Sequence, residues 1–130
     1  MNKNEEALKT YKEAMDIIKA SGDTNSVNVA GILNNIGTVY DDLGQKQEAL
    51  ANFQEALKIY EEILPANHTN IANILNNIGT VQESLGEKDK ALMSYNKALN
   101  IYKETLPDDH PNILNATNGI EKLSENLKKL

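Results

Sequence analysis

The sequence has no cysteine, no tryptophan and no arginine, and only one phenylalanine and three prolines. The absence of cysteine excludes disulfides, thiolate catalysis and cysteine-based zinc sites. Without arginine the chain lacks the side chain best suited to bidentate phosphate or carboxylate recognition. All 13 basic residues are lysines, against 19 acidic ones, and the net charge of −6 argues against nucleic acid and membranes as partners. No apolar run approaches the roughly 18 residues of a membrane span. The charged start, Met1-Asn2-Lys3-Asn4-Glu5-Glu6, leads into no apolar segment. That argues against a secretory signal and points to the cytoplasm. With so few large aromatics, the core falls to Ile, Leu, Ala and Tyr. What remains is 130 residues, 40% apolar and 25% charged, which suits one folded domain. These absences together argue against an enzyme.

What is present is an internal repeat. Ile32-Leu-Asn-Asn-Ile-Gly-Thr-Val39 recurs unchanged as Ile74-Leu-Asn-Asn-Ile-Gly-Thr-Val81. The offset of 42 also carries Leu43-Gly44 onto Leu85-Gly86, Ala49-Leu50 onto Ala91-Leu92, and Ala56-Leu57 onto Ala98-Leu99. It carries Ile59-Tyr60 onto Ile101-Tyr102, Leu64-Pro65 onto Leu106-Pro107, and His68 onto His110. Residues 32–71 and 74–113 share 23 of 40 positions without a gap, which excludes chance. Backwards, Ala7-Leu8, Tyr11, Ala14 and Ile17 match Ala49-Leu50, Phe53, Ala56 and Ile59. Forwards, Asn118, Ile120 and Leu127 match Asn76, Ile78 and Leu85. The chain is a half-unit, two full units and a half-unit.

Each unit reads as two helices. Ile71, Ile74, Leu75, Ile78, Val81 and Leu85 follow the i, i+3, i+4, i+7 spacing of one apolar helical face. Gly86 ends that helix by taking the left-handed conformation. A second helix buries Ala91, Leu92, Tyr95, Ala98, Leu99 and Tyr102 and stops before Pro107, because the residue before proline avoids helical angles. Pro111 suits the first turn of the next helix. A four-residue turn between the two helices implies an antiparallel hairpin. The expectation is one all-α domain over 1–130. It comprises an unpaired second-type helix at 4–20, repeats at 26–64 and 69–106, and a capping or half-repeat helix at 111–127.

Leu33…Ile36-Gly37…Tyr40…Gly44…Ala49…Phe53…Ala56 resembles the tetratricopeptide repeat. The 42-residue length, with Leu-Asn-Asn-Ile-Gly, Ala-Leu-x-Ile-Tyr and Leu-Pro-x-x-His, is similar to the kinesin light chain subclass. The resemblance implies an α-solenoid, with Gly37 and Gly79 where helices cross and Ala49, Ala56, Ala91 and Ala98 where they stack. It implies a protein-binding scaffold with no catalytic residue, cofactor or metal. Thr117, Gly119 and Glu121 replace Leu75, Asn77 and Gly79 in the last half-unit. Thr117 and Glu121 fit poorly in a tight hairpin, so this helix suits a cap, with Lys122, Lys128 and Lys129 facing water.

Opposite the apolar face, Asn73, Asn76, Asn77, Thr80 and Ser84 fall within a stripe of ~60°. The equivalents are Gly31, Asn34, Asn35, Thr38 and Asp42, then Asn115, Asn118, Gly119, Lys122 and Asn126. Asparagine is a poor helix former, so a repeated amide stripe is unusual composition. An amide offers two donors and an acceptor, which can bridge both groups of a peptide backbone. In the resemblance this helix lines the concave groove, and Asn35 and Asn77 hold ligand backbone. Against that stands a purely structural role, with the amides bonding to the neighbouring repeat. Asp41, Asp42, Glu83 and Glu125 make the stripe's charge acidic, with Lys122 its one base. The basic groove residues that take acidic cargo peptides in kinesin light chains are absent. A neutral or basic peptide is therefore expected.

Other chemistry is poorly supported. His68 and His110 lack metal-ligand partners at short spacing and suit helix capping. Glu61-Glu62 and Asp108-Asp109 sit at helix ends as solvated pairs. Asn67-His-Thr69 and Asn115-Ala-Thr117 match the glycosylation sequon, as chance allows with this much asparagine. The first helix raises a different question. Leu8, Tyr11, Met15 and Ile18 form a face that a missing partner helix would cover. Left open, it exposes on the order of 100–200 Å², roughly 3–5 kcal/mol of transfer free energy. A longer parent chain that supplies the helix, two chains pairing through this face, or a neighbour's last helix docking there would each cover it, and self-association is expected. The competing function is accordingly a structural or self-assembly element of a longer repeat array or an oligomer, without a peptide ligand.

Overall fold

The computed structural model describes residues 2–128, and the side chains of residues 2–125; within these limits the chain is six α-helices with no strand. They are α1 (Lys3–Ala20), α2 (Val27–Asp42), α3 (Lys46–Ile63), α4 (Thr69–Ser84), α5 (Lys88–Thr105) and α6 (Pro111–Lys128). Lys129 lies outside the described residues, as do the side chains of Asn126, Leu127 and Lys128. The chain divides into two compact units at the Leu64–Pro65 boundary, α1–α3 and α4–α6.

The helix ends follow from local chemistry. Leu64 and Leu106, each before a proline, are extended at φ −113° and −123°, which stops α3 and α5. Gly44 and Gly86 adopt φ +80°, and each closes its helix with a pair of backbone bonds. Gln45 N–H reaches Tyr40 O at 2.8 Å, and Glu87 N–H reaches Gln82 O at 2.9 Å. One repeat position caps every first-type helix. Ser26 Oγ accepts from Val29 N–H at 3.2 Å, whereas His68 Nδ1 accepts from Asn70 N–H and His110 Nδ1 from Asn112 N–H, both at 3.1 Å. The two histidines thus cap helices.

In unit 1, α2 and α3 form a hairpin whose closest approach is Gly37. A Cβ built there would fall 2.7 Å from the Phe53 ring. Val29, Ala30, Leu33, Ile36, Val39, Ala49, Ala56, Ile59 and Tyr60 of the hairpin are buried as well. Helix α1 packs on α2. Unit 2 repeats the hairpin, with the Tyr95 ring 2.8 Å from the Cβ position of Gly79. Helix α6 then closes over α5, bringing Gly119 to the other side of the same ring at 3.1 Å. Ile113, Ala116 and Leu123 of α6 are buried.

The structure corrects the reading of α1. Met15 is not part of an open face. It is 6% exposed and shares the wall of a cleft with Val29, Leu33 and Ile36 of α2. Leu8, Tyr11 and Ile18 are half-buried, and the open apolar side chain is Ile17, 71% exposed. Met15 lies close to Leu8 around the helix but on the side that meets α2; Ile17 lies on the opposite side.

Candidate functional site

The amide stripe arises because first-type helices turn their isoleucines, leucines and valines inward, leaving Asn, Thr and Ser on the remaining arc. The structure places these residues in different situations. In unit 1, Asn35, Thr38 and Asp42 are exposed and Asn34 is half-buried. In unit 2, Asn73, Thr80 and Ser84 of α4 and Asn115, Asn118 and Lys122 of α6 are exposed, with Asn76 and Asn77 half-buried.

The hydroxyls of the stripe are turned toward their own helices. Thr38 Oγ1 donates to Asn34 O at 3.1 Å, Thr80 Oγ1 to Asn76 O at 3.0 Å, and Ser84 Oγ to Thr80 O at 3.1 Å. Asn73 is engaged as well, for its Oδ1 accepts from the hydroxyl of Tyr102 on α5. Asn34 and Asn77 each have an interaction within the fold. The Oδ1 of Asn76 is buried without a hydrogen-bond partner among the described residues. Among the described residues, no hydrogen bond occupies the exposed side chains of Asn35, Asn115 and Asn118.

Charge on the stripe is largely answered internally. Asp41 pairs with Lys46 at the α2–α3 turn. Glu83 lies 3.5 Å from Lys122 Nζ and accepts from Tyr95 Oη at 2.9 Å, joining α4, α5 and α6. Asp42 and Glu125 stay exposed, without an ion pair among the described residues. The acidic character read from the sequence therefore contracts to these two side chains. Burial pushes the Tyr95 hydroxyl up to about 12, with the Thr80 contact lowering it and the Glu83 bond and charge raising it. Burial alone takes Tyr102 to about 12 and raises Tyr60.

Two features escaped the sequence reading. One is a cleft of about 630 Å³ within unit 1, lined by Met15, Val29, Leu33, Tyr40 and Asn52, with Lys12 5.9 Å from the centre of the Tyr40 ring. It lies against α1, whose Lys12, Met15, Asp16 and Lys19 line it beside α2 and α3. Tyr40 and Asn52 stand where unit 2 has Gln82 and Ser94, a buried pair joined by a 2.7 Å hydrogen bond. Asn52 instead bonds back to Glu48 O at 2.8 Å. The other feature is the pairing of Asn73 with Tyr102. Gly31 stands at that position in unit 1, with Tyr60 Oη 3.8 Å from where its Cβ would be.

Among the described residues, no group of three His, Cys, Asp or Glu side chains could hold a metal ion, and no helix is long and apolar enough to cross a membrane.

A sequence model of the tetratricopeptide repeat matches residues 1–62 and 47–104. No curated protein matches the chain by sequence. Among solved structures, BtubC (BKLC) from P. vanneervenii aligns with a TM-score of 0.86 at 21% identity, over 94% of this chain and 49% of that one. A Podosopora anserina protein with nearly identical TPR-like repeats, named for kinesin light chain, aligns at 0.85 and 16% identity, over 94% of this chain and 58% of that one. The chain thus spans about half the length of the solved proteins it matches. At these identities the likeness carries the fold alone, a helical-repeat solenoid.

Proposed function

Because this chain belongs to the tetratricopeptide repeat family, we propose that it is a protein-interaction module that holds an extended peptide along its amide-bearing first-type helices. The proposed contact residues are Asn34, Asn35, Thr38 and Asp42 on α2, and Asn73, Asn76, Asn77, Thr80 and Ser84 on α4. On α6 they are Asn115, Asn118 and Lys122. The observation that carries the reading is the exposure of Asn35, Asn115 and Asn118 with their amides unoccupied among the described residues. A helix gains nothing from asparagine there, since alanine is the better helix former by a few tenths of a kcal/mol or more. A peptide backbone supplies the alternating donors and acceptors that such amides satisfy.

Within the stripe the roles divide. Asn35, Asn115 and Asn118 present amides outward. Asn73 contributes indirectly, since Tyr102 already engages its oxygen. Asp42 and Glu125 favour a neutral or basic peptide over an acidic one, and Lys122 opposes that preference little because Glu83 holds it. No step of this function is catalytic.

The test is binding of arrayed neutral, basic and acidic peptides to the wild type and to Asn35→Ala with Asn118→Ala. The double variant should keep or slightly raise its helix stability while losing roughly 1 kcal/mol of binding per lost contact. The preference for basic over acidic peptides should shrink as salt rises. Unchanged binding, or a double variant that loses stability instead, would assign the asparagines to structure and end this reading.

A further inference from the structure

We propose that the cleft of unit 1 binds a single-chain anionic amphiphile, with its carboxylate at the Tyr40 end and its alkyl chain laid along α2. The cleft has a floor and two walls. Met15, Val29, Leu33 and Ile36 make the floor, and all four are buried. One wall is α1, with Lys12, Asp16 and Lys19, and the other is α3, with Asn52 and Glu55. The line along α2 from Val29 to Tyr40 runs ~16 Å at the rise of an α-helix. A volume of about 630 Å³ is that of a small-ligand site. Spread over that length it gives a cross-section of roughly 40 Å², about half that of a helix 10 Å across. The cleft therefore takes a slim chain and no helix.

The floor selects the chain. An extended peptide carries an N–H and a C=O at every residue, and each must find a partner when buried. The four apolar side chains of the floor offer none, whereas a hydrocarbon chain needs none. The polar groups select the head. At one end Lys12 Nζ stands 5.9 Å from the centre of the Tyr40 ring, with Asn52 lining the same cleft. Lys12 has no ion pair, and the Tyr40 hydroxyl no hydrogen bond, among the described residues. An ammonium and a phenol are both donors, and a carboxylate accepts from both. Tyr40 and Asn52 are half-buried, which keeps this end partly dry. At the other end the short loop after α1 brings Lys19 near Thr24 and Asn25; all three are exposed, so water competes there. Asp16 stands between the two lysines on α1, and Glu55 lies one turn beyond Asn52 on α3. Both are exposed on the rim, and their charge keeps an anionic head out of the middle. Asn35, Thr38 and Asp42 occupy a different arc of α2, so this site is separate from the proposed peptide stripe.

The probe is decanoate, titrated below its micelle-forming concentration into the full chain with isotope-labelled methionine methyl groups. Met15 reports from the cleft floor, and Met93, 60% exposed on α5, is the internal control. The Met15 methyl resonance should shift saturably while that of Met93 stays in place. Decanol tests the chain without the charge, and decylammonium tests its sign. Decylammonium should bind on the order of tenfold more weakly than decanoate. Lys12→Gln should weaken decanoate on the order of tenfold and leave decanol unchanged. Tyr40→Phe keeps the ring and removes the hydroxyl, and should weaken decanoate severalfold, again without effect on decanol. Lys12 is exposed and Tyr40→Phe removes one atom, so both variants should keep the helical circular dichroism of the wild type. The inference is overturned if Met15 does not shift, or if Met15 and Met93 shift alike, as in non-specific adsorption. It is overturned if decylammonium binds as tightly as decanoate, or if Lys12→Gln leaves decanoate binding intact. It is equally overturned if the Met15 methyl shifts with protein concentration alone as the chain dimerises, because a second copy then fills the cleft. None of these readouts involves Asn35 or Asn118, so failure here is separable from failure of the peptide-binding reading.

Discussion

Replacing the glycines of the first-type helices one at a time with alanine should give stability changes of opposite sign, ordered by the distance from each missing Cβ to its neighbour. The helix term is common to all, since alanine is favoured over glycine inside a helix by ~1 kcal/mol. The packing term differs. At Gly31 the nearest atom is Tyr60 Oη at 3.8 Å, an ordinary contact, so Gly31→Ala should keep the full gain. At Gly119 the Tyr95 ring stands at 3.1 Å, and the ring must give slightly, so the two terms should nearly cancel. At Gly37 and Gly79 the rings stand at 2.7 and 2.8 Å, inside any tolerable contact. Overpacking of this kind costs about 1–3 kcal/mol, and Gly79→Leu should cost more than Gly79→Ala.

Tyr95 has little freedom to absorb the added methyl. Its ring is held between Gly79 and Gly119, and its hydroxyl is bonded to Glu83. Thermal unfolding followed by helical circular dichroism should read each kcal/mol as a shift of about 3–5 °C. Gly31→Ala should melt above the wild type and Gly79→Ala below it. A double-mutant cycle sharpens the test. With Tyr95→Leu already in place, Gly79→Ala should lose most of its cost, because the ring it meets is gone. If Gly79→Ala and Gly31→Ala shift the melting temperature alike, or if the cycle shows no coupling, the seating of a ring on glycine is not what sets the hairpin crossing.

Three further outcomes follow from the same contacts. Asn73→Ala should destabilise unit 2 by roughly 1 kcal/mol despite better helix propensity, because it strips the acceptor from the Tyr102 hydroxyl; Gly31→Asn should stabilise unit 1 by supplying Tyr60 with the same partner, both read by urea unfolding. His68→Ala should cost about 1 kcal/mol, whereas His68→Ser should be nearly neutral because Ser26 already caps α2 from the equivalent position; equal melting of the two variants would refute the capping role. Tyr95 and Tyr102 are raised to about 12 from an ordinary value near 10, so the fold favours their protonated forms. Their stabilising contribution should be complete below about pH 10 and lost as pH rises through about 12, with tyrosinate absorbance and helix loss appearing together. Full tyrosinate formation near pH 10 with the helices intact would contradict it.

The helices were legible because their boundaries are written in residues of narrow conformational range. Gly86 and Pro107 admit few backbone angles, and the isoleucine spacing of α4 admits one buried face. The glycine crossings were legible for the same reason, as a missing side chain in an apolar stretch signals close approach. Met15 was not. A helical wheel assigns it an angle beside Leu8, but only the placement of α2 decides that this angle faces protein. The bond of Asn73 was not legible for a related reason. Its angle groups it with the other asparagines of α4, while its partner, Tyr102, lies 29 residues away on α5.

That distinction also explains why an unbroken eight-residue repeat does not produce two equal sites. Ile32–Val39 and Ile74–Val81 are identical, so any difference between α2 and α4 must come from the residues outside the repeat that meet them. Tyr40 and Asn52 line a cleft in unit 1, whereas Gln82 and Ser94 at the equivalent positions of unit 2 share a buried hydrogen bond. Gly31 leaves Tyr60 without the side-chain acceptor that Asn73 gives Tyr102. Unit 2 is thus tied between its helices by Gln82–Ser94, Asn73–Tyr102, Tyr95–Thr80, Tyr95–Glu83 and Glu83–Lys122, whereas unit 1 joins α2 to α3 through Asp41–Lys46. The polar contacts between helices are therefore more numerous in α4–α6 than in α1–α3 among the described residues. Transplanting Gln82 and Ser94 into unit 1, as Tyr40→Gln with Asn52→Ser, should transfer the buried bond and reduce the cleft. Hydrogen exchange should then slow in α2 and α3 toward the rates of α4 and α5. Unchanged exchange would show that the difference between the units lies in backbone placement rather than in these two side chains.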